Sequence, residues 1–185
     1  MKTNFLFAIA LFMPIMVSGQ ITDDMYKVKD GAVVVEEVIP FTISKDMASA
    51  AVNSYFVTNL NDSNHTLKNS SNDYYVAKII SPILTYHSAG AWYTRANLTI
   101  EVRFKEDRMK VSVSCSNISQ ESKSGVTANY NIVNAAPISE NHDIWEVNIP
   151  KKAAIKSFEQ AVVYMHVIVA EIKEAVQKAK QDDEW

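Results

Sequence analysis

A single cysteine, Cys115, stands among 185 residues, so no intrachain disulfide can form. Glycine is almost as scarce, with four in the chain. None builds a G-x-G-x-x-G turn, a Walker loop or a G-x-S-x-G elbow, which removes the glycine cradles for phosphate and the strained serine turn of many hydrolases. There is no basic surplus. Eighteen Lys and Arg face twenty-one Asp and Glu for a net charge of −3, and a nucleic-acid partner is not expected from such a balance. The four histidines, His65, His87, His142 and His166, are not spaced from one another or from Cys115 as metal pairs are, so neither metal nor cofactor is expected. Beyond residue 17 no apolar run approaches the ~20 residues of a membrane-spanning helix, so no transmembrane anchor is expected.

What the chain has in quantity is apolar material, 48% of its residues, with 21% charged. That is the composition of one ordinary globular domain with enough apolar surface to form a core unaided. Part of it lies at the start. Lys2 precedes a run from Phe5 to Val17, and Val17-Ser18-Gly19 sets small residues at the −3 and −1 positions of a cleavage site. This layout reads as a secretory signal peptide over residues 1–19. An exported protein, periplasmic or extracellular, is therefore expected, with cleavage near Gly19. The remainder divides into a flexible N-terminus at 20–30, a single domain at 31–180 and an acidic tail at 181–185.

Within the domain, Ala32 to Pro40 is a β-branched run of strand length stopped by proline. Ser44 is a good N-cap and Asp46 suits the first turn of a helix over 45–60, whose stripe reads as Met47, Ala50, Ala51, Tyr55 and Phe56. The Asn- and Ser-rich stretch 61–73 reads as a loop. Residues 74–86 form a strand region in which Pro82 marks an edge or a bulge.

The clearest alternation follows. Trp92, Thr94, Ala96, Leu98, Ile100, Val102 and Phe104 interleave with polar residues, then Met109, Val111, Val113 and Cys115 do the same. A turn at Glu106-Asp107 pairs Phe104 with Met109, Val102 with Val111, Ile100 with Val113 and Leu98 with Cys115, placing all eight on one face. With no glycine to form a tight primed turn, a slightly longer loop with the same register is expected. Residues 117–126 read as a loop, and 127–133 and 144–149 as weaker strands. Pro150 then precedes Ile155, Phe158, Val162, Met165, Val169, Ile172 and Val176, spaced alternately three and four. This is an amphipathic helix of about 28 residues, roughly 42 Å long. Its length matches the longest strand, so core packing is favoured over a coiled-coil seam.

The order strand, helix, three or four antiparallel strands, long helix implies an α+β fold, an antiparallel sheet with one face packed by two helices. Over residues 33–115, the Val33-Val34-Val35-Glu36-Glu37-Val38-Ile39-Pro40-Phe41 opening, the Ser44-Lys45 helix start and the Ile100 to Met109 hairpin resemble a family of secreted Bacteroidetes-type proteins of unknown function. The resemblance implies a TATA-binding-protein-like, helix-grip-like fold. It brings no activity and no site residues, and the family's hairpin glycine is absent here.

No catalytic set emerges. Cys115 falls in an inward series and reads as a small buried hydrophobe. His166 reads as a structural histidine on the long helix. The outward face of the hairpin carries Arg103 and Lys110 with Arg95 and Tyr93 toward its far end, a candidate platform for an anion or glycan. Interleaved Glu101, Glu106 and Asp107 favour a plain solvated face over that platform. The chain reads as an exported, non-enzymatic binding or interaction module for an unknown protein, glycan or small apolar ligand, monomeric or weakly self-associating. The alternative is a hydrolase-like enzyme of the same compartment using His87 or His142.

Overall fold

The computed structural model describes residues 21–59, 65–71, 73–136 and 149–182. Residues 1–19, read as a signal peptide, and His142 lie outside these, as does most of the 144–149 strand candidate. Eight strands form one antiparallel sheet: β1 (Lys27–Lys29), β2 (Ala32–Pro40), β3 (His65–Ser71), β4 (Tyr74–Ile80), β5 (Thr85–His87), β6 (Trp92–Phe104), β7 (Arg108–Ser122) and β8 (Thr127–Asn131). Helix α1 spans Lys45–Asn59 and helix α2 spans Lys151–Asp182. The main path runs β1-β2-β7-β6-β4-β3, with β5 on β6 and β8 on β7. The α+β architecture inferred from the sequence is the one found.

The β6–β7 hairpin has the expected register, including Phe104 opposite Met109 and Leu98 opposite Cys115. Its loop is shorter than the missing glycine suggested. Lys105 N–H donates to Arg108 C=O at 2.8 Å, leaving only Glu106 and Asp107 between them. Neither has positive φ, so the turn needs no glycine. Beyond Cys115 the sequence reading fails. Residues 117–122 continue β7 instead of forming a loop. Ser116 is an extra residue at a register shift opposite Asn97, after which Ile118, Gln120 and Ser122 face inward. The bulge breaks the period of two, and two of the three inward residues after it are polar. Polar composition hid β3 in the same way. It is an edge strand held to β4 by backbone pairing.

Ser44 caps α1 as expected, its Oγ accepting from Met47 N–H at 3.3 Å. The buried stripe is Ala48, Ser49, Val52, Tyr55 and Phe56, not the one centred on Met47, Ala50 and Ala51. The helix can turn Ser49 inward because its hydroxyl lies 3.0 Å from the Tyr75 hydroxyl on β4. In α2 the residues Phe158, Val162, Met165, Val169, Ile172 and Val176 are buried against the sheet, so the three-four spacing serves the core. Both helices lie on the face carrying Val33, Val35, Ala77, Ile79, Leu98, Ile100, Val111 and Val113. Tyr55 on α1 donates to Glu171 on α2 at 2.9 Å.

Residues 21–30, read as a frayed arm, carry β1 and the buried Tyr26, whose ring meets Phe158 edge-on at 5.1 Å. His166 Nε2 lies 2.8 Å from the Met25 carbonyl. A carbonyl only accepts, so this nitrogen carries the proton, and the histidine ties the arm to α2.

Candidate functional site

Both helices lie on one side, and among the described residues no helix covers the other side of the sheet. Along β6 it presents Tyr93, Arg95, Asn97, Thr99, Glu101 and Arg103, and along β7 Lys110, Ser112 and Ser114. The twist of the sheet and the β1–β2 hairpin enclose a groove of about 400 Å³ on this side. Its walls include Lys29, Asp30, Val34, Glu36, Glu101, Arg103, Lys110, Ser112 and Ser114.

Four of the six charged residues in the groove are held in pairs. Arg103 and Lys110 stand directly opposite on β6 and β7. Two like charges in that position repel unless each is compensated. Lys110 Nζ lies 2.6 Å from Glu36 Oε2, and Arg103 Nη2 lies 3.2 Å from Glu101 Oε2. Lys27 adds a second contact to Glu36 at 2.8 Å. The hydrogen bonds from Lys110 and Lys27 hold the Glu36 carboxyl down at about 2. The Arg103 guanidinium also lies over the Tyr74 ring, 5.1 Å from its centroid. The groove thus mixes charged, hydroxyl and apolar lining, is near neutral in sum, and holds Arg103 and Lys110 against carboxylates.

The four residues singled out from the sequence therefore fall into two groups. Arg103 and Lys110 share the groove. Tyr93 and Arg95 sit at the other end of the open face, with Arg95 and Arg103 roughly 26 Å apart along β6. There the Arg95 guanidinium lies 5.6 Å from the Tyr93 ring centroid, and the Tyr93 hydroxyl donates to Glu121 at 2.8 Å. That hydrogen bond raises the Tyr93 pKa above its ordinary value. Sequence reading missed Glu36, Ser112 and Ser114 as companions of Lys110. Alternation marked Ser112 and Ser114 as outward, but the register that brings β2 beside β7 is a tertiary pairing with no local signal.

His87 is the histidine of the enzyme alternative that falls among the described residues. Its Nδ1 lies 3.2 Å from Ser88 Oγ, and its ring stacks on Trp92 at 6.4 Å. Burial lowers its pKa, and its other neighbour is the neutral carboxamide of Gln120. A base in a hydrolytic triad is oriented and charged against a carboxylate, and Gln120 cannot stabilise an imidazolium in that way. Cys115 is fully buried, and burial pushes its thiol up to about 12, the opposite of an activated nucleophile. Among the described residues no three His, Cys, Asp or Glu side chains gather to hold a metal. No helix among them is long and apolar enough to cross a membrane.

No family model matches the chain, and no curated protein matches it in sequence. Solved structures do match. A TBP-like protein from Parabacteroides distasonis aligns over 83% of this chain and 97% of its own, at 13% identity and a TM-score of 0.62. A DUF4468 family protein from Bacteroides ovatus aligns over 82% and 90% respectively, at 10% identity and a TM-score of 0.58. At such identities the likeness establishes a shared TBP-like fold. Function does not follow from it.

Proposed function

We propose that the chain is an exported, non-enzymatic binding module that meets its partner on the open face of the sheet, at the groove around Arg103 and Lys110. The single observation that carries this reading is the groove itself, about 400 Å³ on the face that neither helix covers. Residues 1–19 act as the secretory signal. Residues 31–180 work as one domain together with the arm at 21–30 that packs on α2. The lining of paired charges and serine hydroxyls favours a polar occupant, a protein segment or a glycan, over a small apolar ligand. Pre-paired side chains also lower the entropy lost on binding, because they need not be ordered when the partner arrives.

The test is capture from envelope extract with the mature chain and with a double variant, Arg103→Ser and Lys110→Ser. Wild type should retain a partner that the variant loses. Equal retention by both, or none by either, overturns the assignment. The enzyme alternative makes a different forecast. Replacing His87 and His142 with glutamine should abolish any turnover in the same extract, and binding without turnover in either form removes it.

A further inference from the structure

From the groove to the β5–β6 turn, the two central strands β6 and β7 turn no aliphatic side chain to the open face. Beyond the groove Thr99 faces Ser114, Asn97 faces Asn117 and Arg95 faces Ser119. The extra residue at Ser116 resets the phase of β7, and this is what brings Asn117 and Ser119 onto the outward side. Hydroxyls and carboxamides therefore fill the stretch between Arg103 and Arg95.

This track has aromatic rings at both ends. At the groove the Tyr74 ring lies against the Arg103 guanidinium. At the far end Tyr86 and Tyr93 are cross-strand partners, with ring centroids 6.2 Å apart. Tyr86 is 59% exposed, so its ring is accessible to a partner. Between the ends, Asn97 Nδ2 donates to Ser119 Oγ at 3.0 Å, and Ser119 Oγ donates to Asn129 Oδ1 on β8 at 2.8 Å. These bonds fix both carboxamides. They leave Asn97 Oδ1 as an acceptor and Asn129 Nδ2 as a donor for a group laid across the two strands.

We propose that the open face binds one chain of an uncharged polysaccharide, laid along β6 and β7 from the groove to Tyr86 and Tyr93. The proposal rests on the groove being the binding site and names its occupant. A sugar ring has a C–H face that stacks on tyrosine and a rim of hydroxyls that donate and accept, which serine, threonine and asparagine match. A protein interface builds on an apolar centre depleted in charge, and β6 and β7 provide none. Charge narrows the class further. The groove is near neutral, and Arg95 is offset by Glu121 in the adjoining row, so a polyanion gains little. Arg95 and Arg103 are roughly 26 Å apart, so only a chain of several sugars reaches both ends.

The full chain is run on native gels with soluble starch, laminarin, galactomannan or polygalacturonate in the matrix. At least one of the three uncharged polymers should retard it, and the free monosaccharide should not reverse the effect. Tyr86→Ala alters an exposed side chain and should weaken retention about tenfold, as loss of one stacked ring does. The Arg103→Ser, Lys110→Ser double variant should weaken it at least as much, while Val167→Ala on the helix side should bind as wild type does. Thermal melts establish that each variant is folded. Retention by polygalacturonate alone, by no polymer, or unchanged in either the tyrosine or the double variant overturns the proposal, as does full competition by a monosaccharide. If a partner captured from envelope extract is lost by the double variant but kept by Tyr86→Ala, the groove stands as a protein site and the polysaccharide falls.

Discussion

Glu36 and Lys110 are 2.6 Å apart, and this contact ties β2 to β7 on the open face beside Arg103. The carboxyl is partly screened by water, so its worth is that of a good surface pair, up to about 1 kcal/mol. Its pH dependence has a definite sign. The folded-state value is held at about 2, against 4.5 for the free side chain. Stability from this group is therefore fully present above pH 4.5 and is lost as the pH falls toward 2. Glu36→Gln should lower neutral-pH stability by about 1 kcal/mol and flatten the acid limb of the stability profile over that interval. Urea melts at a series of pH values measure both. An unchanged acid limb would show that the Glu36 pairing is lost in solution.

Thiol chemistry should report burial of Cys115. Its side chain is fully buried, and its Sγ–H donates to the Asn117 carbonyl at 3.3 Å. The native chain should resist an aromatic disulfide reagent for as long as it stays folded, then react with one equivalent on addition of denaturant. Rapid labelling of the folded protein would remove Cys115 from the core.

Phe158 should be among the most costly side chains to truncate. It is fully buried and meets Tyr26 edge-on, so it joins α2 to the N-terminal arm as well as to the sheet. Phe158→Ala should cost about 3–5 kcal/mol, a large share of the ~5–15 kcal/mol that keeps a domain folded. Val167 on the same helix is 38% exposed, and Val167→Ala should change stability by less than about 0.5 kcal/mol. Chemical denaturation of the two variants side by side provides the comparison.

The β5–β6 turn carries Ser88, Ala89 and Gly90 in succession, with φ of 51°, 54° and 77°. Glycine adopts this region freely, whereas alanine pays about 1–2 kcal/mol there. Ala89 is exposed and has no core contact to lose. After the added entropy of the unfolded chain, Ala89→Gly should still stabilise by up to about 1 kcal/mol. A fall in melting temperature would show that the alanine methyl is needed in the turn.

Legibility in the sequence followed the strength of local periodicity. Leu98 to Phe104 and Met109 to Cys115 alternate without a break, and their pairing is as the sequence implied. The stripe from Phe158 to Val176 likewise marked α2 and its buried face. What escaped was specified across the chain. Ser116 shifts the phase of β7, so Ile118, Gln120 and Ser122 could not be recognised as inward. Ser49 faces inward on α1 because Tyr75, twenty-six residues away, has a hydroxyl for it. Glu36 joins Lys110 only through the β2–β7 register. Among candidate site residues, type and outward direction were legible for Arg103 and Lys110, while the acidic partner of Lys110 on β2 was not.

The extra residue at Ser116 sits where β7 changes neighbours. Before it, β7 runs beside β2; after it, beside β8. On the far edge of β6 the change from β4 to β5 lies on the β5 side of Asn97. The sheet is therefore two short sheets sharing a two-strand spine, with the seam near that bulge. One half carries the charged groove on its outer side, and the other turns Thr94 and Gln120 inward beneath Ser157 of α2. Helix α2 packs on strands of both halves, so it splints the seam that the bulge opens in the sheet.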